Sequence, residues 1–284
     1  MLLSARLYQF LFLLLCAAGF IHAQDERPRP RLKTSPAIHD KTIISEINFY
    51  GDTELAKQER SRFDEFYKTT CVCDDAVNEL AERVRYLYSR HGYYKAEVQS
   101  TPYSLTSDKG HPRVSADIEI KQGLQYRLGR IELTGQKAFS AEQLRPLFPI
   151  QSGELFDVEK IRQGLENLHK VYGERGYINV TPVPDTKADD VRVVVDLNID
   201  IDEGAQFRIG TIAFSGAGAV DSNFQERVLK SLRLKPGDVY NSLLLEAFFN
   251  ENHSWLPAGS SVEDDIEIAQ NAREHTADLY FVFK

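Results

Sequence analysis

The sequence predicts an α+β fold. A β-α-α-β-β module of about 80 residues occurs three times, each copy a three-stranded mixed sheet covered by two helices. Three observations predict it. First, segments recur at fixed offsets. Tyr126, Arg127, Leu128, Gly129, Ile131 and Gly135 are matched, all at one offset, by Phe207, Arg208, Ile209, Gly210, Ile212 and Gly216. Gln122 and Gly123 are matched at the same offset by Glu203 and Gly204. A second, slightly longer offset relates His91, Gly92 and Tyr93 to Arg175, Gly176 and Tyr177, and Gly153 to Phe156 to Gly237 to Tyr240. Second, stretches with a two-residue apolar period give way to stretches with a helical period. Third, glycines punctuate the switches, and Gly51 precedes Gly135 by that same longer offset as the end of the earliest copy's first strand.

The elements follow in order. Residues 43–50, 127–134 and 208–215 alternate apolar and polar side chains, as half-buried strands do, and each run stops at a glycine. In the second copy Ala141, Leu144, Leu147 and Phe148 make a short helical period that ends at Pro149 and Gly153. Val158, Ile161, Leu165, Leu168 and Tyr172 then form one apolar stripe, and Val77, Leu80, Val84, Leu87 and Tyr88 do the same in the first copy. Gly92 and Gly176 stop these helices. Strands are expected over 94–100 and 114–121 in the first copy, and over 177–183 and 191–201 in the second. The third copy has a helix near 241–252 without the Gly-Tyr stop and a last strand over 277–284. It is either a degenerate module or a capping one. The boundaries are therefore 42–124, 125–206 and 207–284.

Residues 1–23 read as a secretory signal. Arg6 supplies the positive start, residues 7–20 are almost wholly apolar, and Ala23 marks the cleavage point. The competing reading is an uncleaved anchor helix, for which the apolar run is short. Residues 24–41, with Arg27, Pro28, Arg29, Pro30 and Arg31, read as an extended proline- and arginine-rich linker. No later segment is apolar enough for a membrane helix, so none is expected in the mature chain. The 284 residues carry 42 acidic and 34 basic side chains, a net charge of −8, which argues against a general nucleic-acid binder.

The order of elements and these glycines resemble the POTRA domain, which recurs in polypeptide-transport proteins of the bacterial outer membrane, including Bam-type and Tam-type barrel assembly factors (the surface antigen family). The motif residues are Gly92 and Tyr93, Gly176 and Tyr177, Gly123 and Gly204, and the strand-ending Gly51, Gly135 and Gly216. The resemblance covers residues 42–284. It departs from the larger members in having no barrel after the last module, so the chain is either a barrel-less relative or a truncated sequence.

The remaining chemistry is sparse. Cys71 and Cys73 are the only cysteines after the signal; they can pair as a strained bridge or stay as buried thiols, and a metal or redox role lacks further partners in the sequence. Gly216 and Gly218 imitate the start of a dinucleotide turn, but Asp221 stands where the third glycine belongs. Asp185, Asp189 and Asp190 lack the spacing of a calcium loop. His91 and His169 sit near helix ends, where a cation favours the dipole. Tyr93 and Tyr177 are expected to pack against the helices. Nothing forms a catalytic set, and no enzyme activity, cofactor or metal is expected.

The resemblance implies an exported protein of the periplasm, associated with the outer membrane, that binds unfolded or extended outer-membrane or secreted polypeptides. The strand after Gly-Tyr is then the exposed edge that accepts them, which assigns Tyr94, Lys95, Ala96 and Val98 in the first module and Ile178, Asn179 and Val180 in the second. Lys95 and Glu97 are candidate gatekeepers of that edge. The alternative is a rigid scaffold that docks a separate outer-membrane barrel or envelope partner.

Overall fold

The computed structural model describes residues 43–69, 76–108, 111–215 and 221–283. The signal, the linker, Cys71, Cys73, Gly216 and Gly218 lie outside the described residues. Along the chain run β1 (Ile43–Gly51), α1 (Glu54–Gln58), α2 (Arg60–Thr69), α3 (Ala76–Ser89), β2 (Glu97–Asp108), β3 (His111–Lys121), β4 (Arg127–Thr134) and α4 (Ala141–Leu144). Then follow α5 (Val158–Gly173), β5 (Thr181–Asp189), β6 (Val194–Asp202), β7 (Arg208–Phe214), α6 (Ser222–Ser231), α7 (Ser242–Asn252), α8 (Val262–Asp265), β8 (Ile266–Asn271) and β9 (Thr276–Phe281).

These strands make three separate three-stranded sheets, ordered β1-β3-β2, β4-β6-β5 and β7-β9-β8. In each, the last strand lies in the middle. The first strand pairs with it in parallel and the second pairs with it antiparallel, so each sheet is mixed. Each sheet has its own core. The apolar stripe of α5 (Val158, Ile161, Leu165, Leu168, Tyr172) is buried over Leu128, Val195, Leu197 and Ile199, and Leu80, Val84 and Tyr88 of α3 cover Ile118 and Ile120. The third core is rich in aromatics: Phe207, Phe248, Phe249, Phe281 and Phe283.

Local chemistry starts the helices where the sequence offers a cap. Asp157 accepts from the Glu159 N–H at 2.9 Å to open α5. Ser140 and Gln143 form a reciprocal capping box on α4. Asp221, the residue that spoils the dinucleotide pattern, caps α6 by accepting from the Phe224 N–H at 2.8 Å. Asn241 does the same for α7.

Several elements differ from the sequence expectation. The first module has three helical segments before β2 rather than two. The strands expected from residues 94 and 177 begin only at Glu97 and Thr181. The intervening residues turn instead: the Ala96 N–H donates to the Tyr93 carbonyl at 3.0 Å and the Val180 N–H to the Tyr177 carbonyl at 3.3 Å, so these donors are used locally. β6 starts at Val194 rather than 191, because Asp189 accepts from the Val191 and Arg192 N–H groups, both at 2.9 Å, and holds them in the hairpin turn. The last strand is Thr276–Phe281.

The repeated Gly129 and Gly210 mark a shared device. Pairing slips between Leu128 and Ile131 and again between Ile209 and Ile212. Asp196 on β6 accepts from the Arg130 N–H at 2.9 Å, and Asp278 on β9 from the Thr211 N–H at 2.5 Å. A Cβ on Gly129 would stand 2.0 Å from Asp196 Oδ1, and one on Gly210 2.3 Å from Asp278 Oδ1.

Candidate functional site

A three-stranded sheet has two edges, and here they differ. On the parallel side the start of β4 is already paired. The Leu128 N–H donates to the Glu154 carbonyl at 2.8 Å, and the Gly153 N–H donates back to Leu128 at 2.8 Å. In the third module the Ile209 N–H donates to Asp238 and the Gly237 N–H to Ile209, both at 2.7 Å. Thus the repeated segments 153–156 and 237–240 act as edge covers. The antiparallel side, β2, β5 and β8, carries no such cover among the described residues.

Hydrogen bonds fix which backbone groups point outward there. The Ile120 carbonyl accepts from Asp52 on the β1 side, so its partner Val98 faces away from the ladder, as do Ser100 and Pro102. The Val193 carbonyl accepts from Arg127 on the β4 side, which turns Pro182, Pro184, Thr186 and Ala188 of β5 outward. The Phe281 carbonyl accepts from Ser215 and the Asp265 carbonyl from Val282, which turns Ile266, Ile268 and Gln270 of β8 outward.

Of the seven residues assigned to the edge from sequence, Val98 alone lies in a strand. Its side chain is buried, and its outward carbonyl accepts from Arg85 at 3.0 Å. Ala96 and Val180 are buried in the cores of their own modules. The other four meet the next module. Tyr94 packs into the second core, its ring 5.2 Å from Phe156, and shares a 2.5 Å hydroxyl–hydroxyl hydrogen bond with Thr186. Lys95 donates to Asp190 at 2.6 Å, so it is an ion-pair partner and not a free gatekeeper. Ile178 packs against the third core, and Asn179 donates to Gln270 Oε1 at 2.8 Å.

These residues sit at two junctions of the same design. The Tyr126 N–H donates to the Gly92 carbonyl at 2.7 Å, and the Phe207 N–H to the Gly176 carbonyl at 2.8 Å. Gln125 Nε2 donates to the His91 carbonyl and Gln206 Nε2 to the Arg175 carbonyl, both at 2.9 Å. Gly92 and Gly176 have φ of 86° and 81°, and a Cβ there would stand 2.9 Å and 2.7 Å from the Tyr126 and Phe207 carbonyl oxygens. Tyr93 and Tyr177 pack against Tyr88 and Tyr172 with ring centroids 5.8 and 5.7 Å apart. Gly123 and Gly204 follow β3 and β6 in the links to the next module, and Gly135 follows β4.

The first junction has a further polar layer. Tyr86 of α3 donates its hydroxyl to Glu159 of α5, which also receives Arg162 Nε at 2.7 Å. The Arg162 guanidinium, helped by the Tyr86 hydroxyl against the opposing effect of burial, holds the Glu159 carboxyl at about 2. Asp190 receives both Lys95 and the Tyr126 hydroxyl, the latter at 2.7 Å. Asp189 and Asp190 are therefore engaged as a turn cap and a junction acceptor. His169 is no helix-end cation: burial holds it below its ordinary range. His91 places Nδ1 2.8 Å from the Leu87 carbonyl. No helix among the described residues is long and apolar enough to cross a membrane.

Sequence reasoning passed over Gln125 and Gln206, although each stands immediately before an aligned aromatic, Tyr126 or Phe207. It also passed over Pro182 and Pro184, whose place in an alternating run is itself the mark of an edge strand.

Comparison with known proteins accords with this geometry. The POTRA family, described as the surface antigen variable number repeat, matches residues 42–123 and 126–204. A putative outer membrane protein assembly factor of Treponema pallidum is 24% identical over 257 residues, which are 85% of this chain and 30% of that protein. The outer membrane protein assembly factor BamA of Buchnera aphidicola is 24% identical over 180 residues, 63% of this chain and 28% of that protein. The chain thus spans less than a third of the length of these relatives. The crystal structure of Haemophilus influenzae BamA POTRA3-5 superposes with a TM-score of 0.65 at 18% identity, covering 88% of this chain and 99% of that one. The third module, beyond the family match, repeats the same strand order. Repeats, sheet topology and family match lead to one conclusion: the chain belongs to the POTRA family.

Proposed function

We propose that the protein acts in outer-membrane protein assembly or secretion, holding extended segments of client polypeptides by pairing them with an antiparallel edge strand of its sheets. One observation carries the reading: in the second and third modules the start of the parallel edge is covered by segments 153–156 and 237–240, whereas the antiparallel edge presents outward backbone groups. Main-chain hydrogen bonds supply affinity with little demand on client sequence, which suits a protein that must accept many chains. The names of the Treponema and Buchnera relatives support the setting. The site of action is then the periplasm, reached by export.

The test uses the full chain and an outer-membrane barrel polypeptide unfolded in urea. On dilution, the protein is expected to delay aggregation, and photo-crosslinkers placed along the edges are expected to capture the client. Capture solely from helix faces, or no effect on aggregation, overturns the reading.

A second reading is a scaffold that docks one barrel or envelope partner through module faces. The matched hydrogen bonds at both junctions favour it, since they fix neighbouring modules to each other. It predicts a single stoichiometric partner in a pull-down from envelope extract, where the first reading predicts many clients.

A further inference from the structure

The three open edges are not equivalent as strand acceptors. A paired strand needs alternating outward N–H and C=O groups, and proline supplies no N–H. On β5 the outward positions are Pro182, Pro184, Thr186 and Ala188, so its first half has no donor. The rest of β5 is bordered by the preceding module: Tyr94 bonds Thr186, and Lys95 bonds Asp190 just beyond the strand. On β2 the Val98 carbonyl is taken by Arg85, and Pro102 interrupts the donor row. On β8 the outward positions are Ile266, Ile268 and Gln270. All three have an N–H; that of Ile266 is spent on the Val262 carbonyl where α8 ends, whereas among the described residues the outward backbone groups of Ile268 and Gln270 have no hydrogen-bond partner. Asn179 of the preceding module bonds the Gln270 side chain, at the far end of the strand, and makes no hydrogen bond to the Ile268 backbone. The side chains of β8 also divide by face. Ile266 is buried and Ile268 packs against the third core, whereas Glu267, Ala269 and Asn271 alternate with them.

From this we infer that β8 in the third module is the principal polypeptide-binding edge of this chain, and that β5 is closed to strand addition. The inference rests on the edge-pairing function proposed above. It places the site outside all seven residues assigned from sequence, and in the module that the family match leaves out. A strand added there sets one of its faces beside Ile268 and the other beside Glu267, so it favours alternating apolar and non-acidic polar side chains.

The experiment uses the full chain and a synthetic peptide of about ten residues with that alternation, one barrel strand in length. Ile268→Pro removes an outward donor that the β8–β9 ladder does not use. It is expected to weaken peptide binding about tenfold, while Thr186→Pro on β5 changes it less than about twofold. Amide exchange in β9 reports whether the variants fold. Because proline can disturb a strand, a second measurement leaves the backbone intact: a photo-crosslinking residue at Ala269 in β8 or at Val183 in β5, both exposed. Capture at Ala269 and not at Val183 supports the assignment. Equal capture at both, or a loss confined to Thr186→Pro, overturns the assignment and leaves edge pairing standing. Binding that survives both prolines with capture at neither position overturns edge pairing itself.

Discussion

Glu203 gathers three donors of the second module onto one carboxylate. Its buried carboxylate accepts from the Lys137 N–H at 2.7 Å, the Ala138 N–H at 2.8 Å and the Tyr172 hydroxyl at 2.8 Å. Burial by itself would raise this acid, but those three donors outweigh it and hold the group below its ordinary range. A depressed carboxylate contributes stability above its unfolded pKa, about 4.3, and loses it as pH falls through the folded value. Glu203→Gln is therefore expected to destabilise by about 1–3 kcal/mol at pH 7 in urea unfolding, with a smaller deficit at strongly acid pH. Gly164 gives a second residue-scale case. It lies inside α5, where alanine ordinarily gains about 1 kcal/mol over glycine. Here a Cβ would stand 2.0 Å from the Phe148 ring, and Phe148 is buried. Overpacking of this kind costs about 1–3 kcal/mol, so Gly164→Ala is expected to lower the unfolding midpoint.

At the scale of elements, the bulge in β4 couples two residues that the sequence keeps apart. Asp196→Ala leaves the Arg130 N–H without its carboxylate acceptor, at a cost of about 1 kcal/mol. Gly129→Ala should cost more, because its Cβ enters the Asp196 carboxylate. In the double variant the clash is gone, so the two costs should not add. A double-mutant cycle in urea is expected to show a coupling of about 0.5–3 kcal/mol, and additivity would mean that the carboxylate does not brace the bulge. The repeat between residues 126–135 and 207–216 is legible in the sequence, but its reason is not. It needs Asp196 and Asp278, which sit on a strand that is adjacent only after folding.

Across the whole molecule, the junctions decide how the modules act together. Gly92→Ala and Gly176→Ala each push a Cβ against a carbonyl at a positive φ. Each is expected to cost about 1–2 kcal/mol and to raise amide exchange at Tyr126 or Phe207, with the module cores unaffected. Glu159, held at about 2, stays ionised and keeps its bonds to Arg162 and Tyr86 from about pH 5 upward. The first junction should therefore hold at neutral and mildly acid pH and weaken only toward pH 2. It should respond to salt, because Lys95 and Asp190 are exposed and screened. The second junction is held by neutral bonds through Gly176, Gln206 and Asn179, and should not respond. Exchange measured at low and high salt checks the contrast.

The sequence by itself determined the three copies, the element order, and the buried stripes of α3 and α5. All of these depend on spacing within one segment, which is written directly in the residue order. Only the tertiary structure decided what the residues after Gly92 and Gly176 do. Tyr94, Lys95, Ile178 and Asn179 stand where a strand was expected, yet each finds its partner in the next module, far along the chain. Likewise, no single strand discloses which of its backbone groups face outward. That parity follows from the pairing register, and the register forms only when the central strand of each sheet is in place.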